Sequence, residues 1–234
     1  MFISSNIAEV RERIARAAAR VRRRPQEITL MAVSKTVEAE RIREAYQAGL
    51  RVFGENRVQE FTEKSGGLAD LKDAEWHLIG HLQTNKAAKA AQFFQAIDSV
   101  DSLRLADKLD QAAQQSGKTI SVLIEIKVGT EETKAGIPLD SPELEQMLQA
   151  AERLEHLQIR GLMTVPPYTG NPEGARDYFR CLRDLRDQIA RRNLPRVQMD
   201  VLSMGMSHDF EIAIEEGSTC VRVGTAIFGA RPKP

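Results

Sequence analysis

Ile28-Thr29-Leu30-Met31-Ala32-Val33 is apolar on both of its alternating faces, and Ser121-Val122-Leu123-Ile124-Glu125-Ile126 repeats the pattern further along the chain. A strand with one wet face alternates apolar and polar residues, whereas a parallel strand covered by helices does not. Both segments therefore read as buried parallel strands, and the question becomes how many there are and what lies between them.

Working outward, strand and helix signals alternate along the whole chain. A helix over Ser5–Arg23 precedes strand one, Ile28–Ser34. The helix Ala39–Ala48 is stopped by Gly49. Strand two, Arg51–Phe53, leads to a helix over Val58–Glu63, and strand three, Trp76–Ile79, to a helix over Thr84–Ala91. Strand four is Ala96–Ser99. Ser102 caps a helix that runs to Ser116 and ends at Gly117, before strand five, Ser121–Val128. Ser141 and Pro142 supply the cap and first position of the next helix. Strand six, Ile159–Thr164, the long helix Pro172–Arg192, strand seven, Gln198–Ser203, a short helix His208–Glu215 and strand eight, Cys220–Val223, complete the set. Eight strands alternating with helices favour a closed (β/α)8 TIM barrel over an open doubly wound sheet, with an extra N-terminal helix and one domain over 1–234. The tail from Arg231 to Pro234 is expected to fray.

Composition narrows the function. Of 234 residues, 42% are apolar and 28% charged, as in ordinary soluble domains. Lys plus Arg and Asp plus Glu number 33 each, so no overall field draws the chain to nucleic acid or an acidic membrane. Cys181 and Cys220 read as reduced thiols. No signal peptide or membrane span is evident, which makes the cytoplasm the expected compartment. The arginines of the first helix (Arg11, Arg13, Arg16, Arg20, Arg22, Arg23 and Arg24) suggest a transit peptide, but Glu9 and Glu12 argue against it; a solvated face is the expectation.

In such a barrel, functional groups gather at the C-terminal strand ends. Lys35 closes strand one, where a lysine drawn partly out of water becomes a nucleophile for an aldehyde. The alternative is a stem that snorkels to the surface. Gly54-Glu55-Asn56-Arg57-Val58-Gln59-Glu60 follows strand two. His77-Leu78-Ile79-Gly80-His81-Leu82-Gln83-Thr84-Asn85-Lys86 follows strand three; its histidines flank a strand end and lack the glutamate of a zinc helix, so no metal is expected. Helix capping is the plainer reading of Asn56, Thr84 and Asn85. Ser203-Met204-Gly205-Met206-Ser207 and Arg222-Val223-Gly224-Thr225-Ala226 end strands seven and eight. Each joins a glycine to a hydroxyl, and Ser207 is expected to open a short helix whose N-terminus attracts an anion. A small phosphorylated ligand fits there; capping and close packing are the alternative. Lys127, Glu131, Glu132 and Lys134 read as a charged loop, with contact to a ligand as the alternative, and Met163 with Pro166-Pro167 as mouth wall and turn.

These motifs, together with Ala32-Val33-Ser34-Lys35-Thr36 and Arg222 through Gly229, resemble the pyridoxal phosphate homeostasis proteins (the YggS/PROSC family) over nearly the full chain. That family is built on the alanine racemase N-terminal barrel, fold type III among enzymes using this cofactor. The resemblance implies that Lys35 forms a Schiff base with pyridoxal 5'-phosphate. It implies that Ser207, Gly224 and Thr225 hold the phosphate, that Arg222 faces the pyridine nitrogen, and that Asn56, Met204 and Gly205 lie near ring or phosphate. His81 is implied in a supporting role, and Lys134 in a secondary cofactor contact. The family often carries an Asn in the segment that here reads Ile126-Lys127-Val128.

A cation at the pyridine nitrogen weakens the ring as an electron sink. Related racemases add a tyrosine acid/base from a second, β-rich domain across a dimer. Here Tyr46, Tyr168 and Tyr178 lie in or beside helices, and only Tyr168 stands near the mouth. The expectation is a buffer or carrier of the cofactor, monomeric or weakly dimeric, in transient contact with pyridoxal phosphate-dependent enzymes. A weak amino-acid racemase using Lys35 as base is the alternative, and a cofactor-independent interaction protein a third.

Overall fold

The computed structural model describes residues 2–129 and 135–230. Among these, eight parallel strands close into a barrel: β1 (Thr29–Val33), β2 (Val52–Glu55), β3 (Glu75–Leu78), β4 (Ala96–Val100), β5 (Ile120–Lys127), β6 (Leu157–Met163), β7 (Val197–Met206) and β8 (Cys220–Val223). β8 pairs back onto β1, with Ala32 beside Val223, and β4 pairs with β5, so no barrel strand is left with an open edge. A two-residue strand, Ile137–Pro138, lies outside the barrel against the end of β5.

The helices are α1 (Ile3–Arg20), α2 (Ala39–Gln47), α3 (Val58–Ser65), α4 (Ala87–Phe93), α5 (Leu103–Gln115), α6 (Pro142–Ala150), α7 (Arg176–Arg191), α8 (Phe210–Glu215) and α9 (Thr225–Phe228). Their limits follow local chemistry. Ser102 accepts from the Leu105 amide at 3.3 Å and Ser141 from the Glu143 amide at 3.1 Å, satisfying donors that a helix start leaves open. Gly117, with φ +63°, takes the left-handed turn that ends α5. No helix among the described residues is long and apolar enough to cross a membrane.

The first helix keeps the solvated arginine face expected of it, with Arg11, Arg16, Arg20, Arg22 and Arg24 exposed. Its apolar row, Ile3, Ile7, Val10, Ile14 and Ala17, is buried at helical spacing. The flanking arginines bind neighbours as well: Arg13 reaches Glu211 and stacks 4.5 Å over Phe210, Arg20 pairs with Glu215 at 2.5 Å, and Arg23 donates to the Ile214 carbonyl. α1 is thereby clamped to α8. Cys181 is exposed and Cys220 buried, both as free thiols. The expectations for Glu131, Glu132, Lys134 and the tail from Arg231 fall outside the described residues.

Candidate functional site

Alternation along the strands decides which side chains enter the barrel. Thr29 on β1, His77 on β3, Asp98 on β4, Leu123 on β5 and Cys220 on β8 line a cavity at the N-terminal end. Two residues further on, the same faces turn toward the C-terminal mouth. There a second cavity of about 470 Å³, ample for a small ligand, opens between the strand ends.

β1 sends Val33 and Lys35 into this mouth, and β2 sends Asn56. The Asn56 backbone is fixed by Gly80, where a Cβ would stand 2.4 Å from the Asn56 carbonyl oxygen. Arg222 enters from β8, almost wholly buried, donating to Ser203 Oγ at 2.8 Å and to the Thr164 carbonyl at 2.7 Å. Burial pushes its pKa below the ordinary guanidinium value, against the pull of Asp98, Glu125 and Asp209. Gly224 and Thr225 follow, and Gly224 lies against the backbone of Val33, so this turn sits beside the start of the Lys35 loop.

Ser207 also lines the mouth, by a different route from the one expected. α8 begins at Phe210, with Asp209 before it, and the Asp209 carboxylate accepts from the Met206 amide at 2.7 Å. Ser207 therefore does not open that helix. Its hydroxyl instead accepts from the Ala226 amide at 3.4 Å, joining the β7 loop to the β8 turn.

Met204 and Gly205 do not line the mouth. β7 runs on to Met206, and its pairing with β8 shifts between Ser203 and Met206, an irregularity centred on Gly205 at φ +95°. Such a bulge re-aims the residues after it. Met204 is buried in the core, and a Cβ on Gly205 would press within 2.5 Å of Ala213. Met206 is the methionine at the mouth. Met163 is buried at the end of β6, level with Glu125 and Ser203, rather than lining the cavity.

The outlying candidates stand further off. His81 is mostly exposed and holds Asp101 at 2.9 Å. Tyr168 is 79% exposed, its ring 5.2 Å from that of His208, which does line the mouth. His77 is in the opposite cavity, 3.1 Å from Asp98. Burial works against its charge, but Asp98 and Glu75 outweigh it and push the imidazole up to about 9. No group of three or more metal-ligating side chains occurs among the described residues.

Sequence reasoning missed four residues. Arg41 and His208 line the mouth, and neither stands in a pattern that marks it. Glu125 is buried on the inward face of β5, where burial and the charge of Asp101 raise its carboxyl to about 7. A carboxylate among the inward positions of Ser121-Val122-Leu123-Ile124-Glu125 was the available signal. Lys64, on α3, anchors the loop that bears Lys35. The described residues lining the mouth include the cations Lys35, Arg41 and Arg222 and no carboxylate, so the cavity favours an anion.

Comparison with known proteins agrees with this geometry. Residues 6–232 match the family model described as the alanine racemase N-terminal domain. A "pyridoxal phosphate homeostasis protein" of Aquifex aeolicus is 48% identical over 231 residues, covering 99% of both chains. PipY of Synechococcus elongatus PCC7942, solved with PLP bound, is 38% identical with TM-score 0.85, covering 97% of this chain and 100% of that one. An alanine racemase of Clostridium difficile 630 is 15% identical with TM-score 0.71; it shares the fold, and 57% of its length is covered.

Proposed function

Because this chain belongs to the pyridoxal phosphate homeostasis proteins, we propose that its mouth cavity takes up pyridoxal 5'-phosphate on Lys35, and that the protein buffers and delivers it. The observation that carries this reading is the convergence of one lysine, two hydroxyls and a glycine turn in an anion-favouring cavity. Ser207 and Thr225 supply hydroxyls to the phosphate, and Gly224 brings backbone within reach of it. Arg222, held in place by Ser203 and Thr164, meets the ring nitrogen and disfavours its protonation. Asn56 bounds the ring.

Bound pyridoxal phosphate supplies an aldehyde carbon and a ring able to withdraw electrons from it. The residues around it hold the group more than they exploit it. The described lining residues include neither a tyrosine nor a carboxylate, and His208 is the imidazole that stands there with Lys35. Kinship with the pyridoxal phosphate homeostasis proteins supports a carrier rather than an enzyme. The whole chain, 1–234, then acts as one cofactor-holding domain. Its free thiols fit a reducing compartment, the cytoplasm, where it works as a monomer in transient contact with pyridoxal phosphate-dependent enzymes.

The test is exchange at the α-carbon of a single-enantiomer amino acid in deuterated water, with the loaded protein. A carrier gives no exchange above that of free pyridoxal phosphate. Exchange well above that level, abolished in Lys35→Ala, would make the protein an enzyme.

A further inference from the structure

Lys35 enters the cavity from a loop whose two flanking residues are tied to one half-buried ammonium. On the outer face of the barrel, Lys64 of α3 donates to the Ser34 carbonyl at 3.0 Å and to Glu60 Oε1 at 3.3 Å, and stands 2.9 Å from Glu55 Oε1. Each carboxylate then holds the loop in turn. Ser34 Oγ donates to Glu55 Oε1, and the Thr36 amide donates to Glu60 Oε1 at 2.5 Å. The three donors of Lys64 are all engaged, and both residues beside Lys35 are held.

Two features set this cluster apart from ordinary packing. Thr36 stands at φ +61°, a left-handed conformation that a β-branched residue keeps only when its surroundings impose it. Glu55 is fully buried, its pKa raised by burial, yet its Oε2 has no hydrogen-bond partner. A buried carboxylate left half-satisfied is poor economy for stability alone, since well-packed apolar residues often serve as well or better.

We propose that Lys64, Glu55 and Glu60 form a positioning cluster that aims Lys35 Nζ at the aldehyde carbon of a ligand whose phosphate is already seated. This rests on the reading of Lys35 given above. The step it serves is a condensation. Nζ of the neutral amine forms a double bond to the aldehyde carbon as the C=O bond breaks, and both amine protons pass to the carbonyl oxygen, which leaves as water. Nothing is oxidised or reduced. The cluster faces away from the cavity and touches no ligand, so it acts on bond formation rather than on phosphate binding.

The experiment separates these two. Affinity is measured with pyridoxine 5'-phosphate, which has an alcohol in place of the aldehyde. Bond formation is followed as borohydride-trapped mass on Lys35 against time with pyridoxal 5'-phosphate. In Glu60→Ala, trapping is expected to slow by about tenfold or more, the scale on which misaligned reactants lose rate. Affinity for pyridoxine 5'-phosphate is expected to stay unchanged. Glu60→Gln, which keeps an acceptor for the Thr36 amide, restores most of the rate. The double variant Glu55→Gln/Lys64→Met, which removes both charges of the pair together, behaves as Glu60→Ala. Trapping at the parent rate in both Glu60→Ala and the double variant would overturn the proposal. So would a parallel loss of trapping and of pyridoxine 5'-phosphate affinity, which would make the cluster a structural support of the cavity. A parent protein that traps nothing on Lys35 would instead overturn the function reading, and this one with it.

Discussion

Asn6, in the first helix, donates through Nδ2 to the carbonyl of Ile227 at 2.8 Å, across 221 residues of chain. Ile227 belongs to the single turn α9, whose first residue is Thr225. On its other side, the Arg41 guanidinium donates to the Phe228 carbonyl. The added N-terminal helix therefore reaches the proposed phosphate site from behind. Asn6→Leu is expected to leave a buried carbonyl unpaired, costing about 1–3 kcal/mol of stability. Affinity for inorganic phosphate should fall as well, which titration of the folded variant checks; unchanged affinity would detach α1 from the site.

The phosphate assignment has its own test. Removing both hydroxyls in Ser207→Ala/Thr225→Ala deletes two donors to a charged group, each worth about 1.5–3 kcal/mol. The double variant should therefore bind pyridoxine 5'-phosphate more weakly than the parent by about a hundredfold or more, with its circular dichroism spectrum preserved. Equal affinity would remove Ser207 and Thr225 from the site.

Stability is expected to fall as pH rises through neutrality. The Glu125 carboxyl stands at about 7 in the folded protein, against an ordinary 4.5. Between those values the folded state keeps a proton that the unfolded chain has lost, so raising the pH weakens the fold. At 1.36 kcal/mol per unit, the loss is about 3 kcal/mol. His77, raised from 6.5 to about 9, contributes stability that is present below 6.5 and lost as pH climbs to about 9. Urea denaturation of Glu125→Gln should show the decline between pH 4.5 and 7 largely removed and the later one retained. A variant that declines as the parent does would show that Glu125 is ionised in the fold.

The barrel was legible because parallel strands covered on both faces leave runs such as Ile28–Val33, and because capping residues such as Ser102 and Ser141 mark helix starts. Lys35, Asn56, Arg222, Gly224 and Thr225 were legible through their place at strand ends, which is where the mouth lies. Met204 and Gly205 stand off the cavity lining for a physical reason. A glycine after Ser203 reads as the start of a loop, whereas here it makes a bulge that carries the strand on and turns Met206 to the mouth. Lys64 and Arg41 stand in no motif, and only the folded chain reveals what they reach. Glu125 was hidden inside an apolar run, and its isolation there is what raises its pKa.

The most direct test of the central claim is where a ligand aldehyde attaches. The purified protein is treated with pyridoxal 5'-phosphate, reduced with borohydride, and its peptides are mapped by mass spectrometry. The account predicts an absorption band that reduction abolishes and a single principal adduct on Lys35. The absence of any adduct, or labelling spread over other lysines with Lys35 unmodified, would contradict it.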